Sequence, residues 1–192
     1  QEKENLEERI KGRINDKMKF AIDRCVEEMC KEEDFSIYEY GSIEELQKID
    51  NKDLYEHYIQ VLQTSIVDVF IVGEVDENEI RKLISKNIKI DSKVIQDISR
   101  EKIEKNIDKV KFIEDNFNIN QGKLTLGYRT NIPYESKLYE SSVTFSNILG
   151  GGPNSKLFKN IREKESLCYY IFSRLEKFKS IMLISSGIEF EN

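Results

Sequence analysis

The sequence is poor in the residues that build metal sites and disulfide frameworks. Its 192 residues include one histidine, His57, and three cysteines, Cys25, Cys30 and Cys168. A single histidine excludes a zinc site or an acid–base pair built from two histidines of this chain. Three cysteines do not form a disulfide framework, and their odd number leaves at least one thiol unpaired. These counts indicate a reducing compartment, and we expect a cytoplasmic location.

Long hydrophobic runs and an excess of positive charge are also missing. No apolar stretch approaches the ~18 residues of a membrane span, and the first four residues, Gln-Glu-Lys-Glu, do not resemble a signal sequence. Lys and Arg number 30 against 36 Asp and Glu, a net charge of −6. Nucleic-acid binding needs clustered Lys and Arg. We therefore expect neither a membrane nor a nucleic acid among the partners.

What the sequence does contain is a mixture of helix and strand patterns. Apolar residues recur every three or four positions over 2–33, with a break predicted at Asn15-Asp16. Strands are predicted at 65–75, 123–129, 167–175 and 180–190, the first buried and central and the last two paired and antiparallel. Capping residues predict further helices at about 43–48, 51–62, 76–88, 136–149 and from 155 onward. This mixture predicts an α+β fold.

Changes of pattern divide the chain into two parts. Residues 1–90 and 121–192 carry the periodic segments, whereas 91–120 are highly charged without strong periodicity and are interpreted as a linker or surface hairpin. The chain begins inside a predicted charged helix and stops just after an apolar strand. We therefore expect it to be a piece of a longer protein.

Two segments carry side chains with usable chemistry. Gly150–Ser155 predicts a sharp loop between helices, and it lacks the Gly-Lys-Ser/Thr ending of a phosphate-binding loop. Arg162, near the end of the next helix, and Tyr169, in the following strand, offer a guanidinium and a hydroxyl that together would hold a substrate carbonyl or oxyanion. Arginines at helix ends are usually solvated, so the pattern alone leaves both interpretations open.

A longer string of residues around these two segments resembles a known family. Leu149-Gly-Gly-Gly-Pro-Asn-Ser-Lys-Leu-Phe158, Ile161-Arg-Glu-Lys164 and Leu167-Cys-Tyr169 resemble the Leu-Gly-Gly-Gly…Ser-Arg-Leu-Phe…Arg-Glu-Lys…Gly-Leu-Ala-Tyr motif of the insulinase-type, or pitrilysin-type, zinc metallopeptidases. That family includes the mitochondrial processing peptidase. Two positions depart from the motif, since Lys156 stands where the family usually has Arg and Ser166 where it often has Gly.

The resemblance covers nearly the whole chain and implies its architecture. Residues 1–90 resemble the C-terminal part of the family's first homologous half, and 121–192 resemble the N-terminal part of the second. The implied fold is that of processing-peptidase half-domains, in which mixed antiparallel sheets pack against helices.

The resemblance also implies roles for individual residues. In the family, the Arg and Tyr of this motif bind the substrate backbone and help stabilise the tetrahedral intermediate, which implies a peptide-binding role for Arg162 and Tyr169. The glycine-rich loop lies near the cleft between the halves, which adds Gly150, Gly151 and Gly152. Catalysis requires zinc, held by a His-x-x-Glu-His helix and a downstream Glu. That motif does not occur in this chain, so we expect no catalytic residue here and zinc only in the longer protein.

The family's third zinc ligand falls in a helix that resembles residues 2–16. If Glu2 matches the first of the family's two glutamates, Arg9 stands at the ligand position and cannot bind zinc. A shift of one residue places Glu8 there instead, although a solvated helix face is the simpler explanation of Glu8.

Two hypotheses follow from the resemblance. In the first, the chain is part of a zinc-dependent endopeptidase, contributes peptide binding and is inactive alone. In the alternative, it belongs to a non-catalytic paralogue that acts as a peptide-binding or scaffold subunit. Either form would act on peptides, as a homodimer or as a heterodimer with a family paralogue. Glu8 at the ligand position favours the first hypothesis, and Arg9 favours the alternative.

Overall fold

The computed structural model describes residues 1–88, 106–107 and 109–191. Its strands are β1 (Gly122–Arg129), β2 (Cys168–Glu176) and β3 (Ile181–Ile188). Short 3₁₀ turns lie at Arg13–Asn15 and Asp34–Ser36, and a π-helix spans Phe158–Lys164. The α-helices are α1 (Glu2–Gly12), α2 (Lys17–Met29), α3 (Ile43–Lys48), α4 (Asn51–Thr64), α5 (Glu77–Asn87) and α6 (Tyr139–Gly150). The predicted α+β class is confirmed.

Aspartates at the helix N-termini explain where several helices begin. The Asp16 side chain accepts a hydrogen bond from the Lys19 backbone N–H at 2.9 Å, which confirms the break predicted at Asn15-Asp16 and starts α2. Asp50 forms a capping box with Asp53 at the start of α4. Each such side chain satisfies backbone donors that have no partner within the helix.

The three strands form one antiparallel sheet in the order β1-β3-β2. The pairing of β2 with β3 confirms the predicted antiparallel pair. Helix α2 covers one face of the sheet, where Ile22 and Cys30 join Ile181 and Leu183 in the core. Helix α6 packs against β2 from the opposite face. Strand β3 is therefore buried on both faces, as its nearly continuous burial shows.

Helix α2 approaches the sheet closely because β1 has a glycine at the contact. A Cβ atom at Gly127 would overlap the sulphur of Met29 and lie 3.0 Å from the Sγ atom of Cys25. A side chain larger than hydrogen at this position would require the Met29 side chain to move. Gly127 therefore leaves room in β1 for the Met29 and Cys25 side chains of α2.

The chain divides into two compact units, residues 1–43 with 101–192 and residues 44–100. The first contains the sheet, α1, α2 and α6. The second contains α4 and α5 and the extended residues between them. Much of the predicted linker 91–120, namely 91–105 and 108, lies outside the described residues.

The strand predicted at 65–75 is wrong for the described residues. This segment has no ladder partner among them and is irregular between α4 and α5. Its apolar side chains are exposed, with Phe70 89% and Val72 100% accessible. Hydrophobic, β-branched residues favour extended backbone, but a strand also requires a neighbour to accept its hydrogen bonds. The apolar residues Leu54, Tyr58 and Val61 of α4 are likewise largely exposed.

The end of the predicted linker packs against α2 through ring and charge contacts. The Phe117 ring meets Phe20 edge to face at 5.4 Å between centroids. Arg24 donates to the Asp115 carboxylate at 3.0 Å, and Lys111 donates to the Glu28 carbonyl at 3.3 Å. These contacts bring the chain back along the helix before it enters β1.

A buried ion pair joins the end of α2 to the end of β1. The Arg129 guanidinium contacts the Glu33 carboxylate, and their side chains are 3% and 2% exposed. Arg129 also donates to the Met29 carbonyl at 2.8 Å and lies 3.6 Å from the sulphur of Cys30. Burial, together with the charge of Glu33, raises the pKa of the Cys30 thiol to about 11. A charge removed from water in this way requires its partner to remain in place.

None of the helices in the described ranges is long and apolar enough to cross a membrane.

We predict that Arg129→Met lowers the free energy of unfolding by about 3–5 kcal/mol, because it removes the guanidinium that pairs with the buried Glu33 carboxylate. The control is Arg174→Met, since Arg174 pairs with Glu176 at 2.8 Å but is 51% exposed. An exposed pair contributes at most about 1 kcal/mol. Urea denaturation followed by far-UV circular dichroism suits this chain, which has no tryptophan. Equal losses in the two variants would contradict the prediction.

Candidate functional site

The glycine-rich loop packs the end of α6 against the sheet. At Gly150, which is buried, a Cβ atom would overlap the backbone nitrogen of Ser173 in β2 and lie 2.8 Å from its Oγ atom. A Cβ at Gly151 would lie 2.6 Å from the Cα atom of Asn147, whereas one at Gly152 would meet nothing within 4 Å. Gly150 therefore has a packing role, and Gly152 has open space beside it.

Arg162 lies on the π-helix that follows this loop. The Ser155 hydroxyl accepts from the Phe158 N–H at 3.4 Å near the start of the helix. The wider turn appears in the bond from the Glu165 N–H to the Asn160 carbonyl at 3.1 Å. The Arg162 guanidinium is exposed and lies 4.6 Å from the centre of the Phe158 ring. π-Helical turns are rare and often occur at functional sites.

Tyr169 lies at a β-bulge near the start of β2. The pairing of β2 with β3 shifts by one residue between Cys168 and Tyr170, which leaves Tyr169 outside the ladder. Its side chain is 53% exposed. The bulge follows Ser166, whose φ of 55° lies in the left-handed region. Glycine tolerates that region best, so this position, where the family often has Gly, has a backbone that suits glycine.

The Tyr169 hydroxyl donates to a carboxylate rather than projecting free. Its Oη atom lies 3.0 Å from the Oε1 atom of Glu189, just beyond β3. The hydrogen bond to Glu189 and the charge of Glu189 raise the pKa of Tyr169, and a hydrogen bond from the Gln121 side chain opposes this shift. The hydroxyl therefore stays protonated at neutral pH, with its single proton directed at Glu189.

The predicted partners Arg162 and Tyr169 lie on consecutive elements but make separate contacts. The π-helix packs against β2, while Arg162 stacks on Phe158 and Tyr169 bonds to Glu189. Both side chains remain accessible to a ligand. Their common role in peptide binding stays a prediction.

The possible metal ligands in the described part of the chain do not form a zinc site. Glu8 is exposed on α1, and the neighbouring Arg9 lies 5.9 Å from the centre of the Tyr40 ring. Across residues 1–88, 106–107 and 109–191, no three His, Cys, Asp or Glu side chains cluster as metal ligands would. His57 is exposed on α4. We therefore derive no chemical step through a metal held by these residues.

Sequence reasoning missed Glu189 and Gln121 as neighbours of Tyr169. The signal was present in the predicted pairing of 167–175 with 180–190, since an antiparallel register places the start of one strand beside the end of the other. Cys168 pairs with Ile188 in the structure. Tyr169 follows Cys168 in β2, and Glu189 follows Ile188, the last residue of β3. The bulge, which turns Tyr169 out of the ladder, carried no sequence signal.

Comparison with known proteins identifies the class of this α+β module. Residues 48–192 match the peptidase M16 inactive domain. The whole chain is 36% identical to the "probable inactive metalloprotease YmfF" of Bacillus subtilis (strain 168), over 45% of that protein. The chain belongs to the peptidase M16 inactive-domain family, which confirms the resemblance to insulinase-type metallopeptidases. It spans about half the length of the curated relative it matches.

Two solved structures share the fold over 97% of this chain. A conserved protein from Enterococcus faecalis V583 is 32% identical with a TM-score of 0.85, and 44% of its chain is covered. The peptidase M16 inactive domain from Pseudomonas fluorescens is 14% identical with a TM-score of 0.71, and 45% is covered. The family description and the relative's name support the non-catalytic alternative better than an active endopeptidase.

We predict that Gly150→Ala lowers the free energy of unfolding by about 1–3 kcal/mol, because the added methyl overpacks the contact between α6 and β2. Gly152→Ala, two residues away in open space, is the matched control and is expected to change it by less than about 0.5 kcal/mol. Thermal unfolding followed by circular dichroism gives both values. A silent Gly150→Ala would contradict the packing role.

Proposed function

We propose that this chain is a non-catalytic, peptide-binding module of the M16 type, which holds extended peptide segments at the edge strand β2. The exposure of both Arg162 and Tyr169 beside this strand carries the proposal. Cooperation with a second copy or with a paralogous chain, expected from the resemblance, is part of it.

The geometry of β2 supports binding of an extended chain. β2 lies at the edge of the sheet formed by the described residues, and an edge strand presents backbone donors and acceptors to an added strand. The bulge at Tyr169 ends regular pairing with β3 and turns its side chain outward. Arg162, on the element that packs against β2, adds a guanidinium that bonds carbonyls and carboxylates.

The donor set argues for binding without hydrolysis. A hydrolytic zinc site needs three protein ligands and a water, and the described residues offer no such cluster. Its hydrogen bond to Glu189 also occupies the proton that Tyr169 would need to stabilise an oxyanion. A surface that binds peptides without a catalytic centre would hold them without cleaving them.

We predict that Arg162→Ala weakens peptide binding about 10-fold or more, since a hydrogen bond from a charged donor contributes about 1.5–3 kcal/mol. Tyr169→Phe is expected to weaken it about 2–10-fold. Fluorescence polarisation with labelled, unstructured peptides of roughly ten residues, longer than a typical strand, measures both.

Matched controls separate binding from general surface effects. Arg81→Ala removes an exposed helical arginine on α5, and Tyr55→Phe removes a hydroxyl from an exposed tyrosine on α4. Both should bind peptides as the unaltered chain does. If Arg162→Ala and Tyr169→Phe match these controls, or lose binding only because they melt at lower temperature, the proposed function is wrong.

We also predict that the purified chain binds no stoichiometric zinc and cleaves no peptide. Elemental analysis after dialysis, with a fluorogenic peptide assay in added zinc, measures both quantities. About one zinc per chain, or cleavage that a chelator abolishes, would instead support the endopeptidase hypothesis and assign ligands that this structure does not bring together.

A further inference from the structure

A small cavity lies beside Tyr169, and one of its walls is acidic. It measures about 220 Å³ and is lined by Ser166, Leu167, Cys168, Tyr169 and Glu189. The left-handed backbone of Ser166 and the bulge at Tyr169 shape the two ends of this short segment. The cavity accommodates the end of one side chain rather than a folded partner.

The hydrogen bonds around the cavity form a chain that runs in one direction. The Lys123 ammonium donates to the side-chain oxygen of Gln121, Oε1, at 3.1 Å. The side-chain NH₂ group of Gln121 is therefore the donor in its hydrogen bond with Tyr169. The Tyr169 hydroxyl in turn donates to Glu189 at 3.0 Å. The chain therefore ends at a carboxylate, which only accepts.

This direction determines what the cavity offers to a ligand. A phenol has one hydroxyl proton, and here Glu189 accepts it. The Tyr169 oxygen can therefore act towards a ligand only as a hydrogen-bond acceptor. A carboxylate has room for about four hydrogen bonds, and Tyr169 is the partner that the described residues give Glu189. The Ser166 hydroxyl, which also lines the cavity, can donate as well as accept. It is therefore the negative charge of Glu189 that disfavours an anion or a carbonyl here. An ammonium or guanidinium finds acceptors and an opposite charge.

We propose that this cavity binds the cationic end of a lysine or arginine side chain in the peptide, with Glu189 as the residue that determines this preference. The inference rests on the proposed peptide-binding function and adds a substrate class to it. It also reverses the polarity that the family motif implies for Tyr169, which here acts as an acceptor beside a carboxylate instead of a donor to an oxyanion.

The test compares labelled peptides that differ only by Lys or Gln at each position in turn. The unaltered chain should bind one lysine-containing register about three- to tenfold more tightly than its glutamine counterpart, the range of a partly exposed, hydrogen-bonded charge pair. Raising the salt concentration should reduce this ratio. Glu189→Gln should abolish it, while Glu140→Gln, at an exposed position of α6, should preserve it.

Two results would overturn the inference and leave the proposed function intact. One is peptide binding, weakened by Arg162→Ala, with no preference for lysine at any position. The other is a lysine preference that Glu189→Gln does not change.

A second measurement tests the cavity even if no peptide binds. The side-chain NMR signal of Tyr169, assigned with Tyr169→Phe, is followed during titration with N-acetyl-arginine methylamide and with its uncharged citrulline isostere. A shift with the arginine compound alone, lost in Glu189→Gln, supports the cationic site. No shift, or equal shifts with both compounds, refutes it.

Discussion

The buried contact between Arg129 and Glu33 is the constraint on which the unit containing the sheet depends. It fixes the end of β1 beneath the end of α2, and β1 pairs with β3 through Arg129 and Ile181. The same guanidinium holds the Met29 carbonyl and lies beside the Cys30 sulphur. Residues about a hundred positions apart in sequence are thus joined by a buried charge pair, and separating the pair would leave charge in the interior without its nearest partner. The glycine at 127, two residues before Arg129, leaves room for the Met29 and Cys25 side chains between α2 and β1.

The geometry of the candidate site depends on this packing of α2 against β1 and β3. Once β1 and α2 position β3 in the centre of the sheet, β2 follows at its edge and the bulge places Tyr169 beside Glu189. Gln121, which precedes β1, completes the contacts around the hydroxyl. All three side chains come from the starts or ends of strands, where the regular backbone pairing of the sheet stops. Arrangement at strand ends gives accessibility, and the packed sheet beneath gives rigidity, which together suit a binding surface.

Local signals predicted the local structure well, and failures began where a partner was needed. Asp16, Asp50 and Asp76 cap helices that begin where the sequence predicts, because a cap depends only on the next three residues. The segment 65–75 has the strongest strand composition of the chain but no ladder, since its hydrogen bonds require strands that the described residues do not supply. The contact between Glu189 and Tyr169 could not be predicted for a related reason. It depends on the strand register and on a bulge, which are properties of the assembled sheet rather than of either strand alone.

The family motif predicts the positions of these residues in the fold better than it predicts their roles. Gly150 and Gly152 stand two positions apart in the same string, yet a side chain at one would overlap β2 while a side chain at the other meets open space. Tyr169 keeps its place at the start of a strand, but a neighbouring carboxylate accepts its proton. A motif records which side chains remain, whereas the direction of each hydrogen bond depends on neighbours outside the motif. A tyrosine hydroxyl that has already donated its proton cannot stabilise an oxyanion, and the same bond prepares it to receive a cation. A single carboxylate outside the motif therefore changes which groups the same tyrosine hydroxyl can bind.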